Sequence, residues 1–177
     1  MTLPAQLDAY HIRGLALCQL TPAHKGQMVA LQERVMALLP DPTWYFPSED
    51  WEFDQWLQNG EAIGYLDGDT LCGYAVMTPQ SVRGDHSYAR VLGEAEENTF
   101  DFHDVMVSPD YRRRGLHANF LKLFTEMARA MGGKAIYATV DPENGASWRN
   151  FEREGYRCVT TRPAYDGRLR RYYKKEL

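Results

Sequence analysis

The chain has 177 residues, 44% hydrophobic and 25% charged, with a formal net charge of −4. That length suits one domain, residues 1–177, with a core of its own, and the acidic balance weighs against general affinity for nucleic acid. No apolar run approaches the ~20 residues that span a bilayer.

Met1–Tyr10 lacks the basic start and apolar run of a signal peptide. The scattered Cys18, Cys72 and Cys158 suit a reducing compartment better than a disulfide framework. A cytoplasmic protein away from membranes is expected, with the oligomeric state left open between monomer and homodimer.

Met1–His11 has no clear period and reads as a loosely packed leader, and Ile12–Leu20 alternates in part, as a first strand would. Thr21-Pro22 puts a capping residue before proline at the first helical position. The apolar stripe of Met28, Leu31, Val35, Leu38 and Leu39 then predicts a helix that Pro40 stops. Between Pro42 and Pro47 stand Trp44, Tyr45 and Phe46. They read equally as a core plug or as the apolar wall of a small-ligand pocket. A second helix on Phe53, Trp56 and Leu57 ends at Asn59-Gly60, and strands at Glu61–Leu66 and Thr70–Thr78 flank Asp67-Gly68-Asp69, a strong hairpin signal. Residues 79–98 break the pattern. A connection this long is functional or disordered, and Tyr88, Val91 and Leu92 favour a flap with something to pack.

Phe100–Val107 is rich in β-formers and stops at Ser108-Pro109. Arg112, Arg113, Arg114 and Gly115 follow, and from Leu116 the period turns helical through Phe120, Leu123, Phe124, Met127 and Met131, closed by Gly132-Gly133. A strand, a basic glycine-bearing turn and a helix aim free amides and the positive end of a helix dipole at one point, which suits a phosphate.

Val107-Ser108-Pro109 followed by Arg112-Arg113-Arg114-Gly115-Leu116-His117 resembles the Arg/Gln-x-x-Gly-x-Gly/Ala signature of the GNAT superfamily of N-acetyltransferases. His117 departs from it, standing where the family usually has Gly or Ala. Further on, Lys134–Val140 reads as a strand and Asp141–Asn144 leads into a short helix ending at Gly155. Its Asn144, Ala146, Ser147 and Phe151, with Gly155-Tyr156, resemble the family's second recurring segment. An N-cap asparagine and a buried serine would give the same pattern. A last hairpin, Tyr156–Thr161 and Arg168–Lys174, is basic: either an edge strand kept soluble by cations or a rim selecting anions.

The resemblance implies a single α/β GNAT domain, a central mixed sheet of about seven strands flanked by about four helices. It implies acetyl-CoA as co-substrate, held by Arg112, Arg113, Arg114, Gly115, Leu116, His117 and Ala118. Asn144 and Ser147 would contact it further along, and the backbone of Val105, Met106 and Val107 would meet the thioester arm. The expected acceptor is a primary amine of a small molecule, with a peptide amine or a non-catalytic acyl-CoA sensor as alternatives. The amine must lose a proton before attack. Candidates for the base are Asp104, then His103, then Asp101, three ionisable groups on one strand whose charges would be tolerable lining a wet cleft. The Phe102–Val107 string resembles the Ile-Glu-Asp-Val-x-Val strand of sugar-phosphate acetyltransferases. The family's late-helix tyrosine is Phe151 here, so Tyr165 or Tyr173 would donate the proton to the thiolate, or none would. Thr139 stands where some amino-terminal acetylases carry glutamate, so the chain does not look like a ribosomal-protein acetylase. The histidines show no paired ligand spacing, and no metal is expected; neither a dinucleotide fingerprint nor a P-loop is present.

Overall fold

Alternation becomes strand and the 3.6 period becomes helix along most of the chain. The computed structural model describes residues 1–4, 7–79, 87–164 and 167–177. Its strands are β1 (Ala16–Gln19), β2 (Ala62–Asp67), β3 (Thr70–Pro79), β4 (Thr99–Val107), β5 (Ala135–Val140), β6 (Arg157–Pro163) and β7 (Leu169–Glu176). Its helices are α1 (Lys25–Met36), α2 (Asp50–Gln58), α3 (Tyr88–Val91), α4 (Leu116–Ala130) and α5 (Gly145–Arg153). The sheet runs β1-β2-β3-β4-β5-β7-β6. It is mixed: β4 and β5 are parallel, whereas β1–β2, β2–β3, β5–β7 and β6–β7 are antiparallel. No described helix is long and apolar enough to cross a membrane.

The chain forms two compact units, residues 1–76 with 104–123, and residues 77–103 with 124–177. In the first, Met28, Leu31 and Val35 of α1 and Phe53, Trp56 and Leu57 of α2 join Tyr74, Val76 and Met106 in one apolar cluster. α1 ends at Met36, so Leu38 falls beyond the stripe and is exposed. The N-terminal leader is tighter than its sequence suggests. Tyr10 is buried, and its carbonyl accepts from Tyr65 Oη at 2.7 Å and from Asn119 Nδ2 at 3.2 Å.

In the second unit Phe102 meets Phe124 and Phe151 edge-on, at 5.5 and 5.4 Å between ring centres, and Phe151 stacks on Tyr173. Tyr88, Val91 and Leu92 of the 79–98 connection pack with Ala135, Tyr137 and Tyr172. The described part of that connection is therefore a packed helix rather than a flap; residues 80–86 of the expected flap lie outside the described residues. α4 stops where predicted, with Gly132 at φ 74° and the Gly133 amide donating back to Ala128 O at 2.8 Å. Met131, beyond the last helical residue, is exposed instead of lying on the core face.

The basic C-terminal strand is no edge. β7 lies between β5 and β6, and β6 forms the exposed margin. One of its cations, Arg170, is 2% exposed and donates from Nη1 to Asp141 Oδ2 at 2.6 Å. The pair stands at the end of β5, where Asp141 Oδ1 also accepts from the Glu143 amide at 2.9 Å and shapes the turn into α5. Removing the acid takes a close charge partner from a buried guanidinium. Asp141→Ala should destabilise the protein by about 3–5 kcal/mol in urea unfolding.

Candidate functional site

β4 places Asp104 with its side chain on the buried face, in step with Phe102 and Met106, while Val105 and Val107 are half-buried. The carboxylate is 3% exposed. It sits among hydroxyls rather than water: Tyr45 Oη and Tyr74 Oη each donate to Oδ2 at 2.9 Å. Oδ1 is buried and has no hydrogen-bond partner among the described residues. Burial pushes the carboxyl up to about 6, against the two tyrosine hydroxyls and the Val105 amide, which favour the charged form; the charge of Glu52 adds to the upward push. The expected wet cleft is thus corrected: Asp104 and Asp101 are both buried, and hydrogen bonds make that burial tolerable.

Tyr45 reaches Asp104 because its segment is clasped to α1. Gln32 Nε2 donates to Ser48 O at 3.2 Å, and the Ser48 amide donates to Gln32 Oε1 at 3.0 Å. Asp41 Oδ1 accepts from the Thr43 amide at 2.7 Å and starts the short 3-10 turn Pro42–Trp44. Of the three aromatics, Tyr45 packs against the core cluster, Trp44 is half-buried and Phe46 is 47% exposed. They form no plug.

The other two base candidates belong to a different environment. Asp101 Oδ2 accepts from the Tyr88 amide at 3.3 Å, and the half-buried His103 ring lies 5.8 Å from the Tyr88 ring. Both therefore attend to α3 in the second unit, while Asp104 belongs to the network of the first. Tyr74, Gln32 and Ser48 were missed from sequence. The available signals were a tyrosine in the otherwise small and apolar Leu71–Met77 run, whose buried hydroxyl needs a partner, and a glutamine on the buried stripe of α1.

The strand-to-helix turn has the form its sequence predicts. Arg113 and Gly115 adopt left-handed backbone, φ 61° and 87°. The Asn119 amide donates to Gly115 O at 2.9 Å, so the amides of Leu116, His117 and Ala118 precede the first helical bond, where a helix start meets an anion. Arg112, Arg113 and Arg114 are all exposed, but Arg114 is held across the surface. Its Nη2 donates to Arg13 O at 2.6 Å, and its guanidinium lies 5.4 Å from the Tyr111 ring centre, while Tyr111 Oη donates to Asp67 Oδ2 at 2.8 Å. Arg114 braces the turn through that Nη2 bond. The Nε2 of His117 is buried, and burial pushes the ring down to about 4, so the imidazole adds no charge near pH 7. A Cβ built on Gly115 meets nothing within 4 Å, which leaves room beside the amides. These residues fit a diphosphate.

Downstream, β4 pairs with β5 from Thr99↔Ala135 to Phe102↔Ala138, and β4 itself runs on to Val107. In the second unit Asn144 caps α5, its side chain accepting from the Ser147 amide at 3.2 Å. Tyr173 is buried, donates to Glu152 Oε1 at 3.0 Å and is pushed up to about 12, chiefly by burial; Tyr165 lies outside the described residues.

The profile of the acetyltransferase (GNAT) family matches residues 32–156. No curated protein matches in sequence. Among solved structures, the Salmonella typhimurium yncA structure with its cofactor acetyl-CoA is 16% identical, with a TM-score of 0.69 over 93% of this chain and 95% of that one. An N-acetyltransferase from Staphylococcus aureus Mu50 is 14% identical, with a TM-score of 0.69 over 92% and 98%. The ribosomal-protein-S18-alanine N-acetyltransferase from Escherichia coli is 16% identical, with a TM-score of 0.65 over 92% and 93%. At such identities the likeness is one of fold.

The raised carboxyl has a thermodynamic signature. The folded state holds the Asp104 proton more tightly than an ordinary carboxyl of 3.8 would. Its stabilising contribution is present in full below about pH 4 and is lost as pH rises through about 6. The gap of about two units amounts to roughly 3 kcal/mol. Urea unfolding from about pH 4 to about pH 7 should show wild type losing that much relative to Asp104→Asn.

Proposed function

Because the chain belongs to the acetyltransferase (GNAT) family, we propose that it transfers the acetyl group of acetyl-CoA to a primary amine of a small molecule, of the amino-acid, polyamine or aminosugar type. The observation that carries this reading is the buried Asp104 on the central strand, tuned to about 6 beneath the Tyr45 hydroxyl. The fixed wall of residues 41–49, clasped by Gln32 and Ser48, favours a compact acceptor over a peptide laid in an open groove.

Each part of the first unit has a task in that reaction. The amides of 115–118 and the exposed Arg112 and Arg113 neutralise the diphosphate of the donor. The backbone amides of Met106 and Val107 are the proposed donors toward the thioester carbonyl, where negative charge develops, the Val105 amide being engaged with Asp104. Asp104 takes the proton of the acceptor. Moving it from an amine near ~10 to a carboxyl at about 6 is uphill by roughly 5 kcal/mol. That is affordable within the ~16 kcal/mol barrier of an enzyme turning over about ten times a second.

The leaving thiolate, near ~8.5 when protonated, is a tolerable leaving group. The buried and hydrogen-bonded Tyr173 is a poor acid for it, so departure without a dedicated acid is the simpler course. Asn144 and Ser147 stay candidates for donor contacts on the family pattern alone; the cap they form uses only the asparagine's side-chain oxygen and the serine's amide.

Thiol release from acetyl-CoA across amino acids, polyamines, aminosugars and peptides tests the acceptor class. Turnover is expected with a small amine, rising with pH through about 6, a limb that Asp104→Asn removes; turnover confined to peptides would overturn the small-molecule reading. Gly115→Ala should lower coenzyme A affinity at least tenfold in calorimetry, because the methyl occupies the space beside the amides. The left-handed backbone adds only about 1–2 kcal/mol of strain, so the protein should still fold.

A further inference from the structure

A carboxylate sealed from solvent needs a route by which an acceptor's proton can reach it. The two tyrosines on Asp104 are not equivalent. Tyr74 is buried and Tyr45 is half-buried, although both donate to the same oxygen at the same 2.9 Å. The Tyr45 hydroxyl also lies 2.9 Å from Gln32 Oε1 and 3.2 Å from Ser48 Oγ. Its single proton therefore faces two acceptors at equal distance. Turned to Asp104, it solvates the carboxylate. Once the carboxyl carries a proton, that O–H can serve the Tyr45 oxygen while the phenolic proton turns to Gln32. Neither protonation state strands Asp104 Oδ2 or the Tyr45 hydroxyl, which is the condition for a hydroxyl to pass protons without being trapped.

The geometry points to Tyr45 as the proton carrier between the acceptor amine and Asp104. This rests on the acetyl-transfer reading above and deepens it. In the step, an N–H bond of the bound ammonium breaks and an O–H bond forms at Tyr45 Oη. The original O–H of Tyr45 breaks, and its proton joins Asp104 Oδ2. The electron pair of the broken N–H bond stays on nitrogen, which becomes the neutral nucleophile. Tyr45 ends as the neutral phenol it was, and Asp104 ends uncharged. The groups acting on the carboxyl are Tyr45 from the 41–49 segment, Tyr74 from β3, the Val105 amide of its own strand and the charge of Glu52 on α2.

Steady-state thiol release by wild type, Tyr45→Phe and Tyr74→Phe, each across the pH range and with its coenzyme A affinity measured, separates carrier from bystander. Both tyrosines stabilise the carboxylate, so losing either moves the limb near 6 upward. Only Tyr45→Phe should also lower the high-pH plateau of kcat, by about 100-fold, with the KM for acetyl-CoA unchanged and no further loss when combined with Asp104→Asn. Equal plateaus in the two variants would mean that Asp104 takes the proton directly, and would overturn the proposal while leaving acetyl transfer intact. Should Tyr45→Phe fail to fold, the rate of wild type in mixtures of light and heavy water decides. Two protons in flight give a curved dependence on deuterium fraction, and a straight line overturns the relay. A wild type that binds coenzyme A yet releases thiol with no amine removes the catalytic reading and the relay together.

Discussion

Asp104 is the constraint around which the first unit is arranged. A carboxylate buried without partners would be very costly. Here its partners are two phenols, not a cation. An arginine or lysine in the same place would hold the acid far below neutrality and leave it a feeble base. Phenols supply hydrogen bonds with no opposing charge, so burial wins and the carboxyl rises. The residues that bring those phenols in are equally specific: Tyr74 arrives on β3, and Tyr45 arrives because Gln32 and Ser48 hold its segment against α1.

The arginine run shows a similar division of labour. Three consecutive guanidinium groups of one sign repel, and a loop bearing them would be held only loosely by its own backbone. Arg114 relieves this by turning toward the Arg13 carbonyl and Tyr111, whose hydroxyl is anchored on Asp67. Arg34, bonded to Asp110 Oδ2 at 2.8 Å and Ser108 Oγ at 3.4 Å, secures the residues before the turn. The left-handed Arg113 persists within this frame at a cost of order 1 kcal/mol or more. The open amides are thereby fixed in place before any ligand arrives, which lowers the ordering cost of binding.

Local signals carried much of the fold. The Asp67-Gly68 hairpin, the α4 stripe and its Gly132 stop are all written in spacings of a few residues, and the structure has each of them. What depended on distant partners was not legible. The composition of β7 suggested an edge because four nearby cations look solvated; the acid that makes one of them a core residue, Asp141, is 29 positions away in sequence. Likewise the ionisable residues of β4 suggested water, and the hydroxyls that replace it come from positions 45 and 74. Arg114 looked like its two neighbours. Only the fold gives it a carbonyl to hold, from a residue 101 positions earlier.

The division of the chain bears on how the protein is made. The backbone changes unit inside β3, inside β4 and inside α4, so neither unit is a continuous stretch of sequence. During synthesis the first 76 residues emerge without the segment 104–123 that supplies Asp104 and the arginine turn. The apolar cluster on α1 and α2 draws all its described buried members but Met106 from those first 76 residues, so what arrives late is the charged part, with the proposed base. A break inside β4, between residues 103 and 104, divides both units at once, whereas a break after residue 76 or residue 123 divides one and leaves the other's segments on a single piece.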